Sequence, residues 1–488
     1  MFAYFSHDLI RQYFRFDDIF IHLYASRLFQ VFRMSIETRE NKDRNVLRFR
    51  VAPQPSNHLV AVHIRHFNVE EDQINARFSE FPKRIPTIDC HNGTSATDYE
   101  GKPEFLLPEG FQIRDRDGGI ELADRNGKFF RMMERKNFFD QLIPTMRGLL
   151  ADLTQGSPLA ESFQEEWEAY EEGESDMSGY GTLVYYPRRG HVVRFAPPFW
   201  HRLSLVVRNG TLFLDPEMKL DWQKVRNRFE QSVPAVAGCS LGNHVVHAVV
   251  FNVRPLHVKI ADQDIFDLTN ANRMRISYDE LGRNKAIVTA EQLHAIDPFL
   301  RISVFNEGIH AGNINDFIGG NPSIGEPPAT VVIDEVDNPD IKMLIRRKAR
   351  ELRKPVVMSS DVGSGAERDV QRYDLDPGSP LVIGGMSDEE ISAVEEQYRK
   401  NPSLGNFFQF AFGLIGHTYR QMPEFKIIVE SLMHDGVPPE FGGAPQLGST
   451  AMVAAGLAGE AVPRIILGHE LKERTFINIT NAERRVSR

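Results

Sequence analysis

The sequence predicts an α/β protein. Its C-terminal half reads as a mostly parallel sheet with helices on both faces, and an N-terminal α+β region precedes it. Two observations point this way. From residue 233 onward, short and nearly continuous apolar runs alternate with helical patterns, which is how strands buried on both faces read. Before that, apolar and polar residues alternate over short stretches punctuated by Asp-Gly, Asn-Gly and Pro, as in small antiparallel strands.

Taken in order, VLRFRVA (46–52) and HLVAVHIRHF (58–67) have the period of strands. PEGFQIRDRDGGIELADRNGKFFRM (108–132) reads as strands split by turns, and KNFFDQLIPTMRGLLADL (136–153) as a helix ending near Gly156 and Pro158. Eight acids crowd residues 161–176, a pattern that suits an exposed helix or boundary better than a recognition tail. GYGTLVYYP and HVVRFAP form a hairpin turned by Pro187 and Gly190, TLFLD (211–215) a short strand, and LDWQKVRNRFEQ (220–231) an amphipathic helix. Then follow strands VPAVAG (233–238), HVKIADQD (257–264), RISVFNEG (301–308), ATVVIDEVD (329–337) and PVVMSSD (355–361). The helices between them are NHVVHAVVFNV, NKAIVTAEQLHAI and IKMLIRRKARELR. FFQFAFGLIGHTYRQM (407–422) and TAMVAAGLAGEAVPRIILG (450–468) read as core or interface helices. The division expected is 1–190 as an accessory region, 191–232 as connecting strands and helix, and 233–488 as a nucleotide-binding domain with a helical C-terminal part.

Composition narrows the function classes. A length of 488 residues, 41% hydrophobic and 25% charged, suits a globular chain of two or three domains. A formal charge of -10 argues against a nucleic-acid partner, which requires concentrated positive charge. The two cysteines, Cys90 and Cys239, rule out a four-thiolate zinc site within one chain and any disulfide framework. No uninterrupted apolar run approaches the roughly 18 residues of a membrane span, and no secretory leader is evident, so the cytoplasm is the expected location. His63 and His66 alternate oddly but lack neighbours to complete a metal site.

The chemistry begins at Gly238-Cys239-Ser240-Leu241-Gly242, between the first parallel strand and its helix. There the helix N–H groups face the ends of the strands and suit a phosphate. Gly238 would allow the turn, Gly242 a close approach, and Ser240 a further donor. Asp262 and Asp264, some twenty residues on, can accept hydrogen bonds from a ribose, and serve NAD and ATP equally well. Cys239 lies where a helix N-terminus can lower a thiol pKa, though the place suits packing better than acyl transfer. Ser359, Ser360 and Asp361 should edge the crevice, while Arg368 and Asp369 read as structural.

Four ordered motifs then carry a resemblance: Asp262-Gln263-Asp264, Thr269-Asn270-Ala271-Asn272-Arg273-Met274, Gly282-Arg283-Asn284-Lys285-Ala286 and Asp334-Glu335-Val336-Asp337-Asn338. Together they resemble the E1-like adenylyltransferase family. That family includes the ThiF and MoeB proteins and the adenylation domains of ubiquitin-activating enzymes. The resemblance implies a Rossmann-like fold over roughly 220–385, extending loosely to 445–468. It also implies ATP-dependent adenylation of a carboxyl group. By resemblance, Asn270, Arg273 and Lys285 bind and polarise the triphosphate, Asp262 holds the ribose with Asp264 close by, and Asp337 coordinates Mg2+. Asn338 orders its loop. The partners implied are an acyl substrate of unknown identity, such as a protein or peptide C-terminus, and a second copy of the chain as a homodimer. Arg208, Arg226 and Arg228 are candidates for an arginine donated to that copy's site.

The sequence departs from the family in a glycine turn one residue shorter, in Met274 where glutamine is usual, and in having no later catalytic cysteine. Two other readings stay open: a degenerate E1-like scaffold, which the short turn favours, and an NAD-dependent oxidoreductase, which leaves Asn270, Arg273, Lys285 and Asp337 unexplained.

Overall fold

A computed structural model describes residues 34–41, 44–51, 97–98, 112–116, 118–123, 129–153, 155–171, 180–186, 189–206, 222–384, 386–415 and 446–482. The expected strands at 58–67 and 211–215 lie outside these residues. So do His63, His66, Cys90, Arg208 and the end of the helix expected over 407–422.

The chain divides into two compact units, Met1–His91 and Asn92–Arg488. In the first, β1 (Met34–Asn41) and β2 (Arg44–Val51) form an antiparallel hairpin. The second opens with β3 (Thr97–Asp98) and a three-stranded antiparallel sheet of β4 (Gln112–Arg116), β5 (Gly119–Ala123) and β6 (Phe129–Met133). Next come β7 (Phe138–Asp140), α1 (Leu142–Asp152), α2 (Pro158–Glu171), β8 (Thr182–Tyr186), β9 (His191–Phe195) and α3 (Pro198–Val206). The helix expected from Lys136 starts only at Leu142, because Phe138–Asp140 pair in parallel with Val192–Arg194 as a strand. Asp140 then accepts from the Leu142 N–H at 3.0 Å, satisfying a donor at the start of α1.

After α4 (Trp222–Glu230), five strands form the parallel core: β10 (Pro234–Ala237), β11 (His257–Ala261), β12 (Arg301–Phe305), β13 (Val331–Asp334) and β14 (Val356–Val362). Between them run α5 (Leu241–Val253), α6 (Lys285–His294) and α7 (Pro339–Glu351). Two antiparallel strands, β15 (Gly365–Gln371) and β16 (Arg474–Asn478), extend one side, and β3 closes the other. The eight-stranded order is β16-β15-β14-β13-β10-β11-β12-β3. It reverses direction of growth between β10 and β13, the place where α/β sheets open a crevice beyond their strand ends.

Alternation of side chains along buried strands gives each face its own core. Val236, Ile260, Val304 and Ile333 pack with α5 and α10 (Gly448–Leu467) on one side. Ala235, Ala237, Ala261 and Val332 pack with Phe317, Ile345 and Ala349 on the other. A third cluster joins Met343 of α7 to α8 (Asp388–Lys400) and α9 (Leu404–Ile415). Helix α10 is apolar enough to cross a membrane by length and composition, yet most of it is buried against α5 and the sheet. Gly459 makes this possible: a Cβ there would stand 2.6 Å from that of Ala248.

Candidate nucleotide site

The turn after β10 is built from glycine by necessity. Gly238 has φ +90°, and a Cβ on it would drive into the backbone of Glu335 at the end of β13. Gly242, in the first turn of α5, lets the helix lie on the sheet, since a Cβ there would come within 2.9 Å of Val236 Cγ1. Ser240 is the residue before α5 and makes no side-chain cap, so its hydroxyl is not consumed by the helix. Cys239 is fully buried. Burial and then the charge of Asp262 push its thiol pKa up, so desolvation defeats the lowering expected at a helix N-terminus. Its Sγ donates to Ala261 O at 3.7 Å, a packing contact.

Asp262, just past β11, is held from two directions: Oδ2 accepts the Cys239 N–H at 2.6 Å, and Oδ1 the Asp264 N–H at 2.8 Å. Burial raises its pKa, and Lys285 and those N–H groups pull it back down. Asn284 caps α6 by accepting from the Ile287 N–H, and its amide donates to the carbonyls of Asp262 and Asn306 at 2.8 and 3.0 Å. One side chain thereby fixes the loops after β11 and β12. Lys285, the first residue of α6, is buried and reaches Asp264 Oδ2 at 3.3 Å, while Asp264 is mostly exposed.

Asn270 lies in a 3-10 turn (Leu268–Asn272), where it forms a capping box with Asp267 and accepts that residue's N–H at 3.0 Å. Its amide nitrogen has no partner among the described residues. Arg273 follows, half-buried, its guanidinium donating to Asn272 Oδ1 at 2.9 Å. Its carbonyl accepts from His244 Nε2 at 2.6 Å, which pins the segment to α5. Met274, at the place where the family has glutamine, is buried with Phe266 and Val288, so it serves the core. Across the crevice, Asn272 donates to Gln446 O at 3.1 Å, bringing the start of α10 beside Arg273.

The end of β13 presents four acidic or amide groups in five residues. Asp334 is fully buried and answers Lys342 Nζ at 3.3 Å and Arg346 Nε at 3.6 Å. Glu335 is buried too. Its pKa is pushed up to about 8 by desolvation, against the pull of Lys342 and of the Ser359 hydroxyl and N–H, which donate to Oε1 at 2.7 and 2.8 Å. Asp337 is exposed, and the capping of α7 falls to Asn338, which accepts from the N–H groups of Asp340 and Ile341. Asp337 is thus left free of any helix-capping duty. Asp361 on β14 is 6% exposed, with Oδ2 unpartnered. Burial pushes its pKa up to about 6, Arg273 opposes that rise, and Asp337 adds to it. Arg273 and Asp337 therefore both act electrostatically on Asp361.

Two expectations stand elsewhere. Arg226 pairs with Glu230 at 2.8 Å and lies over the Phe199 ring, and Arg228 donates to Leu467 O at 2.8 Å, so both are engaged within this chain. Arg368 and Asp369 belong to a buried strand.

Residues 249–488 match the model of the ThiF family. The C-terminal half is a ThiF-family domain. Over 251 residues the chain is 28% identical to the Mycobacterium tuberculosis protein MT1398, a match covering 51% of this chain and 32% of that protein. The chain thus spans about a third of this relative's length. Among solved structures, PaaA is 16% identical over 57% of this chain and 78% of its own, with a TM-score of 0.37. E. coli MccB with ATP is 15% identical over 76% of this chain and 92% of its own, at 0.36. E. coli TcdA, a tRNA N6-threonylcarbamoyladenosine dehydratase, in complex with AMP is 16% identical over 50% and 90%, at 0.34. Likeness at that level bears on nothing in the chemistry of this chain.

The sequence had named Gly238, Ser240 and Gly242, ahead of the ThiF-family match, and Asp262, Asp264, Asn270, Arg273, Lys285 and Asp337 within it. It gave no role to Glu335 or Asn284 and placed Asp361 only at the crevice edge. Asn284 and Glu335 lie inside two of the quoted motifs, which was the available signal. Asp361 had none beyond following an apolar run, because its environment is made by residues far away in sequence.

Proposed function

We propose that the chain binds ATP at the Gly238–Gly242 turn and adenylates a carboxyl group, forming an acyl-adenylate and pyrophosphate. The observation that carries this reading is the double anchoring of Asp262 beside the α5 N-terminus, with Lys285 ion-paired to Asp264 in the same crevice. In this reading Asp262 accepts the ribose hydroxyls. The unpaired N–H groups of the first turn of α5 and the Ser240 hydroxyl face the phosphates. Arg273, Lys285 and the Asn270 amide counter the charge that grows as the substrate carboxylate attacks the α-phosphorus and the bond to pyrophosphate breaks. The carboxylate is already ionised at neutral pH, so no protein base is required. The acyl substrate is a protein or peptide C-terminus or a small acid.

Exposed Asp337 and the unpartnered oxygen of buried Asp361 are hard donors of the kind Mg2+ prefers, so the residues fit that ion. Among the described residues no three His, Cys, Asp or Glu side chains gather as a complete cage. When bound, Mg2+ would neutralise charge on the phosphates.

The test is calorimetric titration with ATP and Mg2+, with NAD in parallel, on the wild-type chain and on Asp337→Ala and Lys285→Ala. Saturable ATP binding weakened about tenfold or more by each substitution, followed by pyrophosphate exchange with some carboxylate, supports adenylation. Preference for NAD, or no ATP binding at millimolar ligand, would sink it. ATP binding without exchange for any carboxylate would favour the scaffold reading.

A further inference from the structure

A cavity of about 440 Å3 lies away from the nucleotide crevice, where β7, β8, β9, α1 and α3 meet the C-terminal end of α6. Its volume is within the few hundred to about a thousand Å3 of small-molecule sites. Phe139, Val193, Phe195 and Ile296 give it apolar walls, and Arg189 stands exposed at its rim. Among the described residues that line it there is no Asp or Glu, and Arg189 has no ion pair.

The sign of the charge it favours follows from its surroundings. A helix C-terminus ordinarily attracts a cation through its free carbonyls. Here Tyr186 donates its hydroxyl to His294 O at 3.0 Å, which engages one of those acceptors, and His201 donates Nε2–H at 3.1 Å to Ile296 O just beyond the helix. Behind His201, Arg202 and Arg254 share the single carboxylate of Asp297: Arg202 Nη1 reaches Oδ2 at 2.9 Å, while Nε and Nη1 of Arg254 are buried without hydrogen-bond partners. Positive charge is therefore in excess.

We propose that this cavity binds a small carboxylic acid with a compact apolar body, the carboxylate at Arg189 and the body against Phe139, Val193 and Phe195. The site is distinct from the nucleotide crevice. Lys285 begins α6 and His294 ends it, a separation of about 15 Å for a ten-residue helix. The inference does not depend on adenylation.

The experiment is fluorine NMR of 4-fluorobenzoate with the full chain, using 4-fluorobenzamide and 4-fluorobenzylamine as neutral and cationic counterparts. Saturable broadening of the benzoate alone is expected. Arg189→Met should weaken it about fivefold, the scale of one exposed ion pair, and Val193→Trp should abolish it by filling the cavity. Absence of saturable benzoate binding up to about 10 mM, equal binding of the amide or amine, or an unchanged affinity in Arg189→Met would overturn the proposal. Arg189 sits in an exposed turn, so that variant decides the matter should Val193→Trp misfold.

Discussion

The backbone N–H of Cys239 lies 2.6 Å from Oδ2 of Asp262, and through this bond the turn after β10 and the acid after β11 are one rigid piece. Asp262→Ala removes the acceptor for two backbone donors at once. It should cost about 1–3 kcal/mol of stability and weaken ATP binding more than tenfold. Denaturant unfolding and calorimetry measure the two effects separately. Stability lost with ATP affinity unchanged would take the ribose role away from Asp262.

Gly238 and Gly282 both have positive φ, +90° and +76°, but a Cβ on Gly238 meets the Glu335 backbone, whereas one on Gly282 meets nothing within 4 Å. Gly282→Ala should therefore cost only the backbone penalty, about 1 kcal/mol. Gly238→Ala should cost that and several kcal/mol of overlap besides. Paired thermal melts make the comparison, and equal losses would show that the clash relaxes away.

A buried imidazole gives the domain an acid-sensitive element. His247, buried on α5, bonds the Asn243 carbonyl through Nδ1 at 2.7 Å, and burial lowers its pKa to about 4 from an ordinary 6.5. The folded state thus resists a proton that the unfolded chain accepts. This contribution is complete above pH 6.5 and is lost as pH falls towards 4, up to about 3 kcal/mol. Unfolding measured from pH 7.5 to 4 should fall less steeply for His247→Gln than for the wild-type chain.

Arg474 on β16 grips Asp369 through Nε and Nη2 at 2.7 and 2.6 Å and stands 3.3 Å from Glu367, both carboxylates fully buried. Arg474→Met leaves that charge without its partner and should destabilise the domain by about 3–5 kcal/mol. Adding Asp369→Asn to the same chain should restore part of the loss, which a double-mutant cycle would read.

What the sequence disclosed depended on whether each element's reason for existing was local. Strands such as Val331–Asp334, apolar throughout and followed by a capped helix, state their own identity. Gly365–Gln371 does not. In GAERDVQ the residues read as structural were Arg368 and Asp369 alone, and the segment is a wholly buried strand whose acids are answered by Arg474, about a hundred residues later. Phe138–Asp140 was absorbed into the following helix for the same reason, its parallel partner lying beyond a helical excursion. In the crevice, the motifs named Asp262, Lys285 and Arg273 as candidates. Asp361 is defined by Arg273 and Asp337, which arrive from other elements, so no spacing could announce it.

Strand β16 has a consequence for the life of the protein before it is fully made. Until residues 474–478 emerge and pair, the seven residues of β15 present an open row of N–H and C=O groups, a template that another chain's strand can join. A nascent or clipped chain ending before Arg474 would face aggregation through that edge, and solubility would then rest on a strand of five residues.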